Sequence, residues 1–174
     1  MNACFSYLAP GLVPVIQQPS SLVCWATAYA IMRSWNESRS YDIRGAAAAV
    51  DEKYGVMVDR NQALPASEFK AFLVAADMQR EPMWSLPVEG WLGLLQDNGL
   101  LWVGTLGVVN PGTYLHSRIV EGMYGDGSTT ATWMKIVDPE NGSRYTETFG
   151  RFLDRYEGAR RLSTANEYYQ IRHF

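Results

Sequence analysis

One stretch constrains this chain more than any other: Leu22 to Trp35, LVCWATAYAIMRSW. A helix made from it is apolar around most of its circumference, so it has no face to give to water and must be wrapped by other elements. With 174 residues, the chain is long enough to supply that wrapping and short enough to be read as one domain. Hydrophobic residues make up 47% and charged residues 19%, the balance of a folded globular protein.

The rest of the chain divides by period. Residues 1–19 read as extended and loop-like, since prolines recur and Pro19 biases Gln18 away from helix. Ser20 and Ser21 offer N-caps for the central helix, which runs to about Asn36. A second helix is expected from about Asp42 to Tyr54, with Gly55 as its stop. A third is expected from about Ser67 to Met78, with Phe69, Phe72, Leu73 and Ala76 on one stripe. A fourth follows Pro87 and ends near Gly99. The period then changes. Leu100–Val108, His116–Tyr124 and Thr130–Val137 read as strands, the last two separated by the turn Gly125-Asp126-Gly127-Ser128. A helix or turn at about Glu147–Tyr156 and a final strand at Glu167–Arg172 complete the reading. Helices followed by a mostly antiparallel sheet predict an α+β fold. The single domain spans 1–174, with a helical half over about 1–99 and a sheet half over about 100–174.

Composition also excludes. Fifteen basic against eighteen acidic residues give a net charge of −3, which speaks against a nucleic-acid partner. No run approaches the roughly 18 apolar residues of a membrane span, so no membrane association is expected. Met1 to Ile16 lacks the basic lead and unbroken apolar core of a classical signal peptide. Cys4 and Cys24 are too far apart for a CxxC zinc site, so neither a metal nor another cofactor is expected. A single Cys4–Cys24 bridge is the alternative to two free thiols. The glycines at 122, 125 and 127 lack the Lys-Ser/Thr of a phosphate loop. Trp25, Trp35 and Trp91 read as core, whereas Trp84 and Trp133 are open to lining a substrate groove. Arg151, Arg155, Arg160 and Arg161 read as a solvated face, with an acidic partner as the alternative.

Two cysteines and two histidines leave few pairings for thiol chemistry. With Ser21 as N-cap, Cys24 falls at the third helical position, where unpaired amides carry partial positive charge. That setting favours the thiolate, and the same amides can hold an oxyanion. Of the histidines, His173 is penultimate, where chain ends fray, while His116 opens a strand. A turn centred between Asp126 and Gly127 pairs His116 with residue 137, and a one-residue bulge brings it to Asp138, a carboxylate able to hold the imidazole's tautomer. Asn141 is the fallback for that role.

The segment Gln18-Pro-Ser-Ser-Leu-Val-Cys24-Trp25 resembles the catalytic segment of papain-like cysteine proteases. There, a glutamine six positions before the cysteine supplies an oxyanion-hole amide and an aromatic residue follows the cysteine. The plant-enzyme signature CGSCW is absent, and only the Cys-Trp pair remains. The resemblance is closest to the compact bacterial branch, which includes effector proteases of plant pathogens and double-glycine leader peptidases. It implies that Gln18 serves the oxyanion hole, with Gln17 as the alternative register, and that Cys24, His116 and Asp138 form a triad in a cleft between the two halves. It further implies an endopeptidase acting on a protein target, at a glycine-containing bond. It suggests an effector or toxin exported by a specialised secretion system, acting in a target-cell cytoplasm and restrained by a cognate inhibitor. A peptidoglycan amidase or peptidase with the same chemistry, and an inactive papain-like binding module, are the alternatives.

Overall fold

The apolar stretch becomes α1 (Cys24–Asn36), and from Trp25 to Met32 every side chain is buried. The computed structural model describes residues 4–82, 84–109, 112–162 and 170–174. Three helices gather round α1: α2 (Ile43–Ala48), α3 (Glu52–Asp59) and α4 (Ala66–Ala75). Strand β1 (Phe5–Leu8) precedes them and the short β2 (Gln79–Arg80) follows. After α5 (Val88–Asn98) come β3 (Leu101–Val109), β4 (Gly112–Gly125), β5 (Thr132–Asp138) and β6 (Ser143–Thr148). The chain closes with α6 (Phe149–Leu162) and β7 (Ile171–His173).

The strands form one sheet in the order β2-β7-β3-β4-β5-β6. Every pairing among the described residues is antiparallel, as the α+β reading requires. Strand β4 is the spine. It pairs with β3 along Gly112 to Val120 and with β5 from Ile119 to Gly125; β1 takes up its free side at Gly122 to Gly125, past the end of β3.

Because side chains alternate across a strand, the sheet separates two cores. Trp102, Ile119 and Val137 join Trp25, Tyr29, Met32, Tyr54 and Phe72 on the face covered by α1 to α4. Their neighbours Val103, Val120 and Ile136 join Trp91, Leu95, Phe152 and Tyr156 under α5 and α6 on the other face. The result is three layers, with α1 to α4 on one face of the sheet and α5 and α6 on the other. The fourth expected helix, α5, crosses to the far face because its stripe of Val88, Trp91 and Leu95 finds α6 there.

Other departures are local and have identifiable causes. The expected helix at 42–54 is two helices, because Asp51, in extended backbone, turns its carboxylate onto the Lys53 amide and starts a new cap. Strand β1 lies inside the stretch expected to be loop. Strand β6 is unforeseen, since its SRYTET sequence is polar and half exposed on one face. The final strand lies at Ile171–His173, and residues 167–169 of the expected strand fall outside the described residues. No described helix is long and apolar enough to cross a membrane.

Candidate active site

Cys24 is the first residue of α1, not the third. The helix begins later than the serines suggest, because Ser20 and Ser21 are used in another way: their carbonyls accept from Gln18 Nε2, at 3.0 and 3.4 Å. The N-cap residue is Val23, and among the described residues no side chain caps this end. The first-turn amides of α1 therefore have neither an intrahelical acceptor nor a side-chain cap, and the positive end of the helix dipole falls on Cys24 itself. The turn before it is held from α3's side of the molecule: Asn61 Oδ1 accepts from the Leu22 amide at 2.9 Å, and Trp25 Nε1 donates to the Gln62 carbonyl at 3.0 Å. Cys24 is half-buried, and both cysteines are free, so the Cys4–Cys24 bridge does not form.

Strand β4 carries Tyr114, His116 and Arg118 at alternate positions on one face, with Ser117 on the other. His116 Nε2 donates to Asp138 Oδ1 at 2.6 Å, a buried contact. The register that brings this about differs from the expected one. The loop of the β4–β5 hairpin spans 126–131, wider than the Gly-Asp-Gly-Ser turn alone. Ile119 faces Val137, and the bulge lies at Glu121. Asp138 is therefore one step past the last pair, level with Arg118, and reaches His116 along the diagonal. Asp138 is well satisfied. Oδ1 also accepts the Glu140 amide at 3.0 Å, and Oδ2 accepts Arg118 Nε at 2.8 Å.

The electrostatics follow from these contacts. Burial is the largest influence on each group and opposes its charged form, yet the specific partners prevail. Burial pushes the Cys24 thiol up, but the His116 imidazole and Ser117 bring it below its ordinary value. Burial pushes His116 down, but Asp138 and Cys24 raise it to about 9. Burial pushes the Asp138 carboxyl up, and His116 and Arg118 hold it well below the usual carboxylate range. A lowered thiol beside a raised imidazole favours a thiolate–imidazolium pair. With Nε2 committed to Asp138, Nδ1 is the ring nitrogen left for the thiol. It is buried and has no hydrogen-bond partner among the described residues.

Gln18 is half-buried. Its backbone amide donates to the Pro139 carbonyl at 2.7 Å, tying the loop before the cysteine to the turn after Asp138. The same two segments meet at Gly142, whose φ of +58° suits glycine and whose Cα lies so close to Gln17 that a Cβ would stand 2.7 Å from the Gln17 Cβ. Gln17 itself is exposed. Asn141 is occupied elsewhere, accepting from the Ser143 hydroxyl at 2.5 Å. His173 is not frayed: it lies in β7, buried, with Nε2 donating to Glu81 at 2.9 Å.

Two residues enter the geometry without having been signalled. Arg118 is recognisable only once the strand is placed, because the two-residue period then sets it beside His116. Tyr114 donates to the Glu140 carboxylate and its ring lies 5.8 Å from that of His116. The ligand atoms of His116, Asp138 and Glu140 lie within 4.8 Å of one another, close enough to ask whether a metal fits. His116 Nε2, both Asp138 oxygens and Glu140 Oε1 are already engaged, by one another, by the Arg118 guanidinium and by the Tyr114 hydroxyl. Arg118 also supplies the positive charge a cation would bring.

Of the tryptophans left open, Trp84 and Trp133 are both partly exposed. Arg155 and Arg151 turn toward the buried Glu147, at 3.2 and 3.7 Å, so that face is partly neutralised.

A family profile described as papain-like cysteine protease AvrRpt2 matches residues 10–157, a span that contains Gln18, Cys24, His116 and Asp138. No curated protein matches the chain.

Proposed function

The chain belongs to the family of the papain-like cysteine protease AvrRpt2, and from that premise we propose an endopeptidase with Cys24 as nucleophile, His116 as base and acid, and Asp138 as the group that orients the imidazole. As a member of that family it is a thiol hydrolase of peptide bonds, and its substrate is protein. The observation that carries the residue assignment is the contiguous set of a lowered thiol, a raised imidazole and a carboxylate 2.6 Å from that ring.

The proposed reaction begins from the thiolate–imidazolium pair. The Cys24 sulfur attacks the carbonyl carbon and the carbonyl electrons move to oxygen. Gln18 Nε2 and the Cys24 amide hold that oxyanion. Gln18 does so by exchanging its longer contact, 3.4 Å to the Ser21 carbonyl, for the oxyanion. The tetrahedral adduct collapses, the C–N bond breaks, and the His116 Nδ1 proton passes to the leaving amine. His116 then takes a proton from water, the hydroxide attacks the thioester, and the acid product leaves as the Cys24–carbon bond breaks.

We assign the activity to the whole of 1–174 acting as one domain. The resemblance to effector proteases supports a protein target cleaved at a glycine-containing bond, export by a specialised secretion system, action in a target-cell cytoplasm, and a cognate inhibitor. The test compares the protein with its Cys24→Ala variant on proteins of a susceptible cell and on purified murein, with cleaved products read by mass spectrometry. New protein termini that depend on Cys24, enriched beside glycine, are expected. Cys24-dependent release of murein fragments without protein cleavage would replace this reading by a cell-wall hydrolase. Alkylation of Cys24 that rises with pH as an ordinary thiol's does, with no cleavage of either, would reduce the domain to a binding module.

A further inference from the structure

We propose that Arg118 is a positioning residue of this site: a buried guanidinium that fixes the rotation of the Asp138 carboxylate, and through it the plane of the His116 ring. The inference rests on the reading of Cys24, His116 and Asp138 as the reacting groups.

Asp138 is the last residue of β5, with Pro139 and a turn after it. A carboxylate at a strand end is free to rotate unless both oxygens are held. Oδ1 is shared by His116 and the Glu140 amide, and both of these contacts survive a tilt of the carboxylate about that oxygen. Among the described residues Oδ2 has one side-chain partner, Arg118 Nε at 2.8 Å. Arg118 thus turns a one-point attachment into a two-point one.

Arg118 is itself braced. Its NH1 group donates to Thr105 Oγ1, and to the Leu106 carbonyl at 3.3 Å. Thr105 is the residue of β3 directly opposite His116, and its hydroxyl also lies 3.3 Å from the His116 carbonyl. The planar fork therefore spans from β3 to the end of β5, across the strand that carries the histidine. A lysine presents a point charge on a flexible stem and cannot hold both ends in one plane. At 5% exposure, Arg118 is desolvated, and a buried cation without such partners is costly. Among the described residues, the contact that links Arg118 to the reacting groups is the one to Asp138.

The experiment measures kcat and KM for Arg118→Met, Arg118→Lys and Thr105→Val in a Cys4→Ser background. Active sites are counted by alkylation of Cys24 at a pH well below the ordinary thiol range, where the activated thiolate of the folded site reacts and an unfolded thiol does not, so that misfolded protein does not enter kcat. Arg118→Met is expected to lower kcat per titrated site by about 10²-fold, the scale of a misoriented catalytic group, with KM nearly unchanged. Arg118→Lys is expected to recover part of the loss, and Thr105→Val to lose about 10-fold by freeing the brace. Wild-type kcat per titrated site in Arg118→Met overturns the proposal. If that variant does not fold, wild-type kcat in Thr105→Val overturns it. A rise in KM at constant kcat also overturns it, since that marks a substrate-binding role. Retained activity in Cys24→Ala or His116→Ala would instead sink the underlying reading.

Discussion

Asp138→Asn tests the electrostatic core of the site while keeping its shape. His116 stands at about 9 against an ordinary 6.5. At about 1.4 kcal/mol for each pH unit, the folded site favours the charged ring by roughly 3–4 kcal/mol. Burial opposes this, so Asp138 and the Cys24 thiolate together supply more than that sum. An asparagine has one oxygen and one NH2 group where Asp138 has two oxygens. Either Arg118 Nε or the pair formed by His116 and the Glu140 amide then meets a donor instead of an acceptor. Loss of one neighbouring opposite charge is worth roughly 1–3 pH units, so the His116 titration is expected to fall from about 9 toward 7. A raised His pKa holds the ion pair until pH climbs through that value. The alkaline limb of kcat/KM should therefore move down with it, and the rate at the wild-type optimum should fall on the order of 10²-fold. The substitution also strips Arg118 of its counter-charge, at a cost of about 3–5 kcal/mol for a broken buried pair. NMR of 15N-labelled histidine reads the titration directly, because the chain has only two histidines and His173→Asn assigns the other. A wild-type His116 that titrates near 6.5, or a titration that Asp138→Asn does not move, would refute the electrostatic reasoning.

Further predictions concern the frame around the site. Asn61→Ala removes the acceptor of the Leu22 amide and puts alanine at φ +49°; about 1–2 kcal/mol should be lost in urea unfolding, with a fall in kcat as the turn before Cys24 loosens. Gly142→Ala drives a Cβ toward Gln17 at a left-handed φ, and should slow acylation more than it lowers stability by separating the Gln18 loop from the Asp138 turn, as stopped-flow with a chromogenic substrate would show. Phe72→Ala empties the ring cluster of Trp25, Tyr29, Tyr54 and Trp102 under α1 and should cost about 3–5 kcal/mol in the same unfolding assay. Stability should also follow pH with a definite sign. The His116 contribution is complete below about pH 6.5 and fades until it is gone above about 9, whereas the Asp138 contribution is complete above its ordinary 3.8 and fades as pH falls. Thermal unfolding across pH should therefore show a decline between 6.5 and 9 that His116→Gln abolishes.

The parts of this molecule legible in the sequence are those set by local pattern. The all-apolar circumference of α1 announces a central helix, and the glutamine six positions before Cys24 announces the loop that Gln18 occupies. Alternation and turn residues mark β4 and β5. What local pattern cannot carry is register and partnership. The β4–β5 loop is wider than its glycines suggest because residues 129–131 join it, so Asp138 meets His116 diagonally and not across a rung. A diagonal contact on one face leaves the level position to Arg118, and that is how an arginine with no motif of its own comes to hold the far oxygen of the carboxylate. The helix start shows the same logic. Two serines ahead of an apolar run are ordinary cap signals, but their carbonyls serve Gln18 and the Leu22 amide is taken by Asn61, 39 residues away. Tertiary partners thereby move the start of α1 to Cys24. The thiol ends up at the very tip of the helix, with fewer competing local hydrogen bonds than the serine-capped version would have left it.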